Sequence, residues 1–128
     1  MRMSKNDIPV KVDTPGAVAR VQADFGEALG ILGAEYFSLG AGTDLAPLMN
    51  GLEGDLCQSP HWGYLISGHV VATFADGSEE ETHGGDVFYW PPGHSIRADE
   101  AAEIILFSPQ HLHGPVVDHV AAQVATIV

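Results

Sequence analysis

Turn-forming residues interrupt this chain so often that little except short strands fits between them. Fifteen glycines and eight prolines are spread over 128 residues. Through most of the sequence a Gly, Pro or Asp-Gly signal recurs about every 8–12 residues, the spacing of a sandwich or barrel. Strand-like runs are Ile8–Val12, Ala17–Gln22, Gly30–Leu39, His61–Ser67, Val70–Ala75, Ser78–His83, Val87–Trp90, Ser95–Ala98 and Glu103–Phe107, with a long irregular stretch between Gly40 and Pro60. Asp76-Gly77 is a hairpin signal. Pro91-Pro92-Gly93 must be a loop, because proline cannot donate to an interior ladder. After Pro109 the period changes. Val116, Val117, Val120, Ala121, Val124 and Ile127 recur at helical spacing behind Pro115, which predicts a C-terminal helix over about 115–127.

The length is one domain's worth, so residues 1–128 read as a single domain with a strand-built core over about 17–108. A chain of this size buries roughly two-thirds of its unfolded surface and needs no disulfide. Five Lys and Arg stand against 17 Asp and Glu, a net charge of −12. So few cations cannot neutralise a phosphate backbone or grip an anionic lipid surface, which excludes nucleic acid and membrane as partners. The single Cys57 excludes an internal disulfide and any CxxC site, and it suits a reducing cytosol. No apolar run follows the N-terminal basic residues, and none approaches the ~20 residues of a membrane helix. A cytoplasmic protein that meets a small molecule is expected.

Seven histidines need sorting. His83, beside Glu79, Glu80 and Glu81, reads as solvated, and His119 as a surface or interface residue of the helix. His111 and His113 would share a face on a strand, but they fall in a connector between Pro109 and Pro115. His61 and His94 each stand where a strand begins, the usual place for inward ligands at the mouth of a small barrel. Asp55, Cys57 and His61 have equal parity. Cys57 and His61 would be ~13 Å apart in extended chain, so both reach one ion only if Ser59-Pro60 bends. A thiolate with imidazoles suits Zn, Fe, Ni or Cu better than Mg or Ca. The alternative is a buried cysteine acting as a small hydrophobe beside a hydrogen-bonded histidine. Trp62 and Tyr64 have the opposite parity and should point outward, as an association surface or beneath another segment.

These glycine, proline and histidine spacings resemble the cupin superfamily, whose first motif is G-x5-H-x-H-x3–4-E-x6-G and whose second is G-x5-P-x-G-x2-H-x3-N. Gly85-x5-Pro91-Pro92-Gly93 matches the second motif, and Gly68 is the closing glycine of the first, so the match runs from about Leu52 to Ser108. The resemblance implies an all-β, antiparallel jelly-roll barrel of about eight to ten strands with one C-terminal helix, and a homodimer. His61 falls at the family's glutamate position, Asp55 and Cys57 at its two histidine positions, and Ile96 at the second-motif ligand position, with His94 two residues earlier. The usual three-His, one-Glu set is therefore missing. A bacterial branch of the superfamily with CQxPHWGY and PPGH segments implies that Cys57, His61 and His94 belong together. They would be ligands to a divalent transition metal, with Asp55 behind them to orient one. Two functions follow from this: a small metalloenzyme, or a metal-free module that binds or senses a small ligand. A weaker third has Cys57 as nucleophile, with His61 lowering its pKa and Asp55 orienting the base.

Overall fold

The computed structural model describes residues 1–127. Seven strands precede one helix: β1 (Val10–Thr14), β2 (Ala17–Gln22), β3 (Leu32–Leu39), β4 (His61–Phe74), β5 (Glu79–His83), β6 (Val87–Trp90), β7 (His94–Pro109) and α1 (Gln110–Ile127). The strands run β1-β2-β3-β7-β4-β5, with β6 against β4. Every pairing is antiparallel. This is the all-β jelly-roll architecture with a C-terminal helix that the sequence predicts.

The strand count is seven rather than eight to ten because two expected breaks are bends. Gly68 does not end a strand; it lies inside β4 at φ +92, where the register with β7 slips repeatedly between Leu65 and Val70. An extra residue on one side of a ladder curves the strand without stopping it. Only glycine fits there, since a Cβ would come within 2.1 Å of the Ala101 carbonyl oxygen. β7 likewise runs unbroken through Asp99 and Glu100, which were expected to separate two strands. The Asp76-Gly77 hairpin forms as predicted, closing on Phe74 and Ser78.

The helix begins at Gln110, five residues before the predicted start. Pro115 is not in its first turn but inside it. The lost N–H there would have served the His111 carbonyl, so only one early helical bond is forfeited. Among the described residues no helix is long and apolar enough to cross a membrane.

The main core joins both halves of β4 and β7: Leu65, Val70, Ala72, Trp90, Ile104 and Leu106 are almost inaccessible. Burial of such side chains contributes roughly 1.5–3 kcal/mol each. A second cluster, Met49, Cys57 and Val116 with Leu45, Leu52 and Val120, pins α1 to the segment before β4. Its position matters. It places the helix beside Cys57.

Candidate functional site

Cys57 and His94 form an isolated antiparallel bridge, the Cys57 N–H donating to the His94 carbonyl at 2.8 Å. The Pro91-Pro92-Gly93 turn closes against the same backbone, with the Gly93 N–H donating to the Cys57 carbonyl at 2.8 Å. From there the chain bends through buried Ser59, and His61 opens β4 opposite Trp90. The bend brings Cys57 Sγ to 3.5 Å from His61 Nε2. The rings of His61 and His94 meet edge to face with centroids 5.0 Å apart. Cys57, His61 and His94 are all buried, and one ligand atom from each lies within 4.8 Å of the others.

Three further residues complete the cluster, from β3, β7 and α1. Glu35 of β3 is fully buried; one of its oxygens accepts from the Ser108 hydroxyl and the other from His113 Nδ1. His61 Nδ1 lies 2.6 Å from Ser108 Oγ. Because a serine has one proton, and that one goes to Glu35, His61 Nδ1 must donate. His94 Nδ1 donates to the Pro91 carbonyl at 2.7 Å. The His61 and His113 rings are 4.3 Å apart.

Each of the three histidines therefore spends Nδ1–H on a fixed acceptor, and His61 turns Nε2 toward the sulfur. That is the tautomer a metal ligand requires, held by hydrogen bonds behind the ring. Burial raises the Cys57 thiol, but hydrogen bonds from His113 and His94 and their charges outweigh it and lower the thiol to about 6. Burial lowers His113, while bonds to Cys57 and Glu35 and their negative charge carry it up to about 9. At neutral pH the pair is a thiolate and an imidazolium. His61 stays neutral, held well below its ordinary value by burial and then by the charges of His113 and His94.

The sequence reading brought together Cys57, His61 and His94, and these residues meet. Asp55 does not join them: it is exposed, and its carboxylate accepts from the Gly51 N–H at 3.0 Å. The thiol–imidazole–carboxylate series expected of Cys57, His61 and Asp55 ends instead on Glu35, reached from His61 through Ser108, with His113 on the second Glu35 oxygen. Sequence reasoning missed both partners. The two-residue spacing of His111 and His113 shares a face only on a strand. On the helix that actually forms, the side chains diverge by ~200°, so His113 is buried and His111 exposed. For Glu35 the signal was a lone carboxylate in an apolar strand, between Ala34 and Tyr36. Trp62 and Tyr64 point outward as predicted, 47% and 43% exposed. Trp62 stacks on Tyr89 at 5.3 Å.

No family model and no curated protein matches this sequence. Solved structures do match in fold. An RmlC-like cupin from Shewanella frigidimarina is 16% identical, with a TM-score of 0.54 over 84% of this chain and 88% of that one. The ectoine synthase of P. lautus gives 13% identity and a TM-score of 0.60 over 85% and 77%. The polyketide cyclase RemF of Streptomyces resistomycificus gives 16% identity and 0.55 over 85% and 78%. The chain folds as a cupin.

Within this cupin fold the second-motif ligand position is given up to packing, for Ile96 is a core residue. A cavity of about 480 Å³ opens between the sheet and α1 and reaches Cys57, His61, His94 and His113. Its wall is largely aliphatic: Val12, Leu45, Met49, Ile96, Val116 and Val120. Among the described residues no Lys or Arg lines it, while Asp13 and Asp44 do. Trp90 also lines it and carries a buried indole N–H with no partner.

Proposed function

We propose that this chain is a cupin metalloprotein. Cys57, His61 and His94 take a divalent transition metal at the foot of the cavity, beside His113, where it meets a small, uncharged organic molecule. The carrying observation is that one ligand atom from each of buried Cys57, His61 and His94 lies within 4.8 Å of the others, while acceptors hold Nδ1 of both histidines. Such a donor set fits Zn, Fe, Ni or Cu. When bound, the ion supplies Lewis acidity or an activated water.

The chain's own residues do the rest. Glu35 and Ser108 fix the rings of His113 and His61. Among the described residues the wall holds no Lys or Arg and carries Asp13 and Asp44, which disfavour an anion along the aliphatic part of the cavity, so an uncharged substrate fits best. The unpartnered Trp90 N–H offers that molecule one hydrogen bond, since a buried donor left unpaired costs about 1–3 kcal/mol. The free thiol of Cys57 suits a reducing, cytoplasmic setting. A second copy of the chain would cover the outward Trp62, Tyr64 and Tyr89; light scattering at micromolar concentration would return a monomer if it does not.

Elemental analysis and cobalt titration of the untagged protein test the metal. Wild type should take up an ion with a thiolate-to-cobalt absorption band. His61→Ala should lose that ion outright, and His94→Ala should hold it more weakly. A Cys57→Ser variant that binds cobalt with an unchanged spectrum and affinity would refute the reading. The metal-free ligand module is favoured by one observation, the hydrogen bonds that satisfy Glu35 and Nδ1 of His61, His94 and His113 without an ion. It predicts that the metal-free protein binds an apolar probe such as N-phenyl-1-naphthylamine as tightly as the metal-loaded protein.

A further inference from the structure

A second group of histidines lies on the outer side of the β4–β5 hairpin and shares no residue with the Cys57 cluster. Along β5, Thr82 is buried and its neighbours Glu81 and His83 are exposed, so the latter two project from one face. His69 of β4 is directly opposite His83 in the ladder, and Val71 is opposite Glu81. Glu81 is therefore the diagonal neighbour of His69, within reach of a long side chain. The His69 and His83 rings stack at 4.5 Å with only 9° between their planes. One ligand atom from each of His69, Glu81 and His83 lies within 4.8 Å of the other two.

A pair of solvated histidines on an acidic strand would account for the exposure of Glu81 and His83. It does not account for His69. Nε2 of His69 is buried and has no hydrogen-bond partner, although Glu81 Oε1 is 3.5 Å away. Its other nitrogen, Nδ1, faces Asp99 Oδ2 at 4.0 Å. That carboxylate is held from the far side by Arg97, whose Nε is 3.1 Å from Asp99 Oδ1 and whose Nη1 is 2.6 Å from Glu79. Carboxylates thus flank both ring nitrogens, Glu81 at Nε2 and the anchored Asp99 behind Nδ1, where a carboxylate stands behind many metal-bound imidazoles. The ladder between β4 and β7 slips at His69/Val70, and such bulges re-aim a side chain.

We propose that His69 Nε2, the Glu81 carboxylate and a ring nitrogen of His83 form a second metal site on the surface of the sheet. Two imidazoles and a carboxylate suit Zn²⁺, Ni²⁺ or Cu²⁺. The surplus of acidic residues across the chain draws cations to it. Three protein ligands leave a position open to water or to a group from another molecule. The ion would clip β4 to β5 and neutralise a stretch of the hairpin that otherwise carries Glu79, Glu80 and Glu81 side by side.

Zinc titration by calorimetry, with elemental analysis after dialysis, tests this independently of the Cys57 centre. A Cys57→Ser/His61→Ala double variant should still bind one equivalent of zinc, and adding His83→Ala should abolish it. In the wild-type background, His83→Ala and Glu81→Gln should each remove one equivalent and leave the thiolate-to-cobalt band unchanged. Both substitutions alter exposed side chains, so that comparison stands even if the double variant does not fold. Asp99→Asn, which changes the residue behind His69, should weaken the surface site about tenfold. The site does not exist if a folded double variant takes up no zinc, or if His83→Ala and Glu81→Gln bind as much zinc as wild type.

Discussion

Replacing His113 with alanine in the metal-free protein should move the Cys57 titration upward. The thiol is lowered from 9.0 to about 6 in the folded chain. A shift of about three units corresponds to roughly 4 kcal/mol in favour of the thiolate. Burial opposes that preference and survives the substitution, whereas the His113 hydrogen bond and charge are removed. The influence of His94 on the thiol remains, so a rise of at least about one unit is expected rather than full reversal. The assay is ultraviolet thiolate absorbance against pH, in wild type, His113→Ala and Glu35→Gln. Glu35→Gln should shift the midpoint the same way by less, because it weakens the imidazolium without removing its N–H. Alkylation rates alone would understate the change, since a thiol of higher pKa is the better nucleophile once ionised. A His113→Ala midpoint still at about 6, or a wild type titrating near the ordinary ~8.5 of a free thiol, would refute the assignment of His113 as the charge partner.

Other outcomes follow from the same geometry. Ser108→Ala strips the acceptor of His61 Nδ1 and the donor to Glu35, and should cost about 1–3 kcal/mol in urea denaturation. Gly68→Ala forces a Cβ against the Ala101 carbonyl at φ +92, and should lower stability by at least ~1 kcal/mol, seen as a fall in Tm. Trp90→Phe keeps an aromatic ring but loses the unpartnered N–H, so it should weaken binding of an uncharged carbonyl or ether ligand while leaving a pure hydrocarbon unaffected. Thermal melts should report acid sensitivity: His61 is depressed below its unfolded value of 6.5, so its contribution is complete above that pH. It is lost as pH falls from there, by up to about 1.4 kcal/mol per unit, and a flat profile below 6.5 would contradict the buried neutral ring.

Strand positions were readable because turn residues are local signals, and β2, β5 and β6 run nearly where the sequence predicts. The two long strands were not. A positive-φ glycine marks a turn and a bulge alike, and only the partner strand decides which; at Gly68 that partner is Ala101 and Ala102 of β7. Cys57 and His61 were legible together from parity and the Ser59-Pro60 bend, and His94 joined them through the resemblance carried by the PPGH turn. Glu35 and His113 were not, because their meeting depends on the β3–β7 register and on a helix that starts five residues early. Asp55 shows the opposite error. Equal parity holds only in extended chain, and its φ of +56 takes it off that course.

The members of the buried cluster are strung from residue 35 to residue 113, and they become neighbours only once β3, β4, β7 and α1 have all docked. A denatured chain thus presents little more than the Cys57 and His61 pair to any ion in solution. Whatever engages the complete set would discriminate sharply between native and random polypeptide, and its free concentration would set the melting point by mass action.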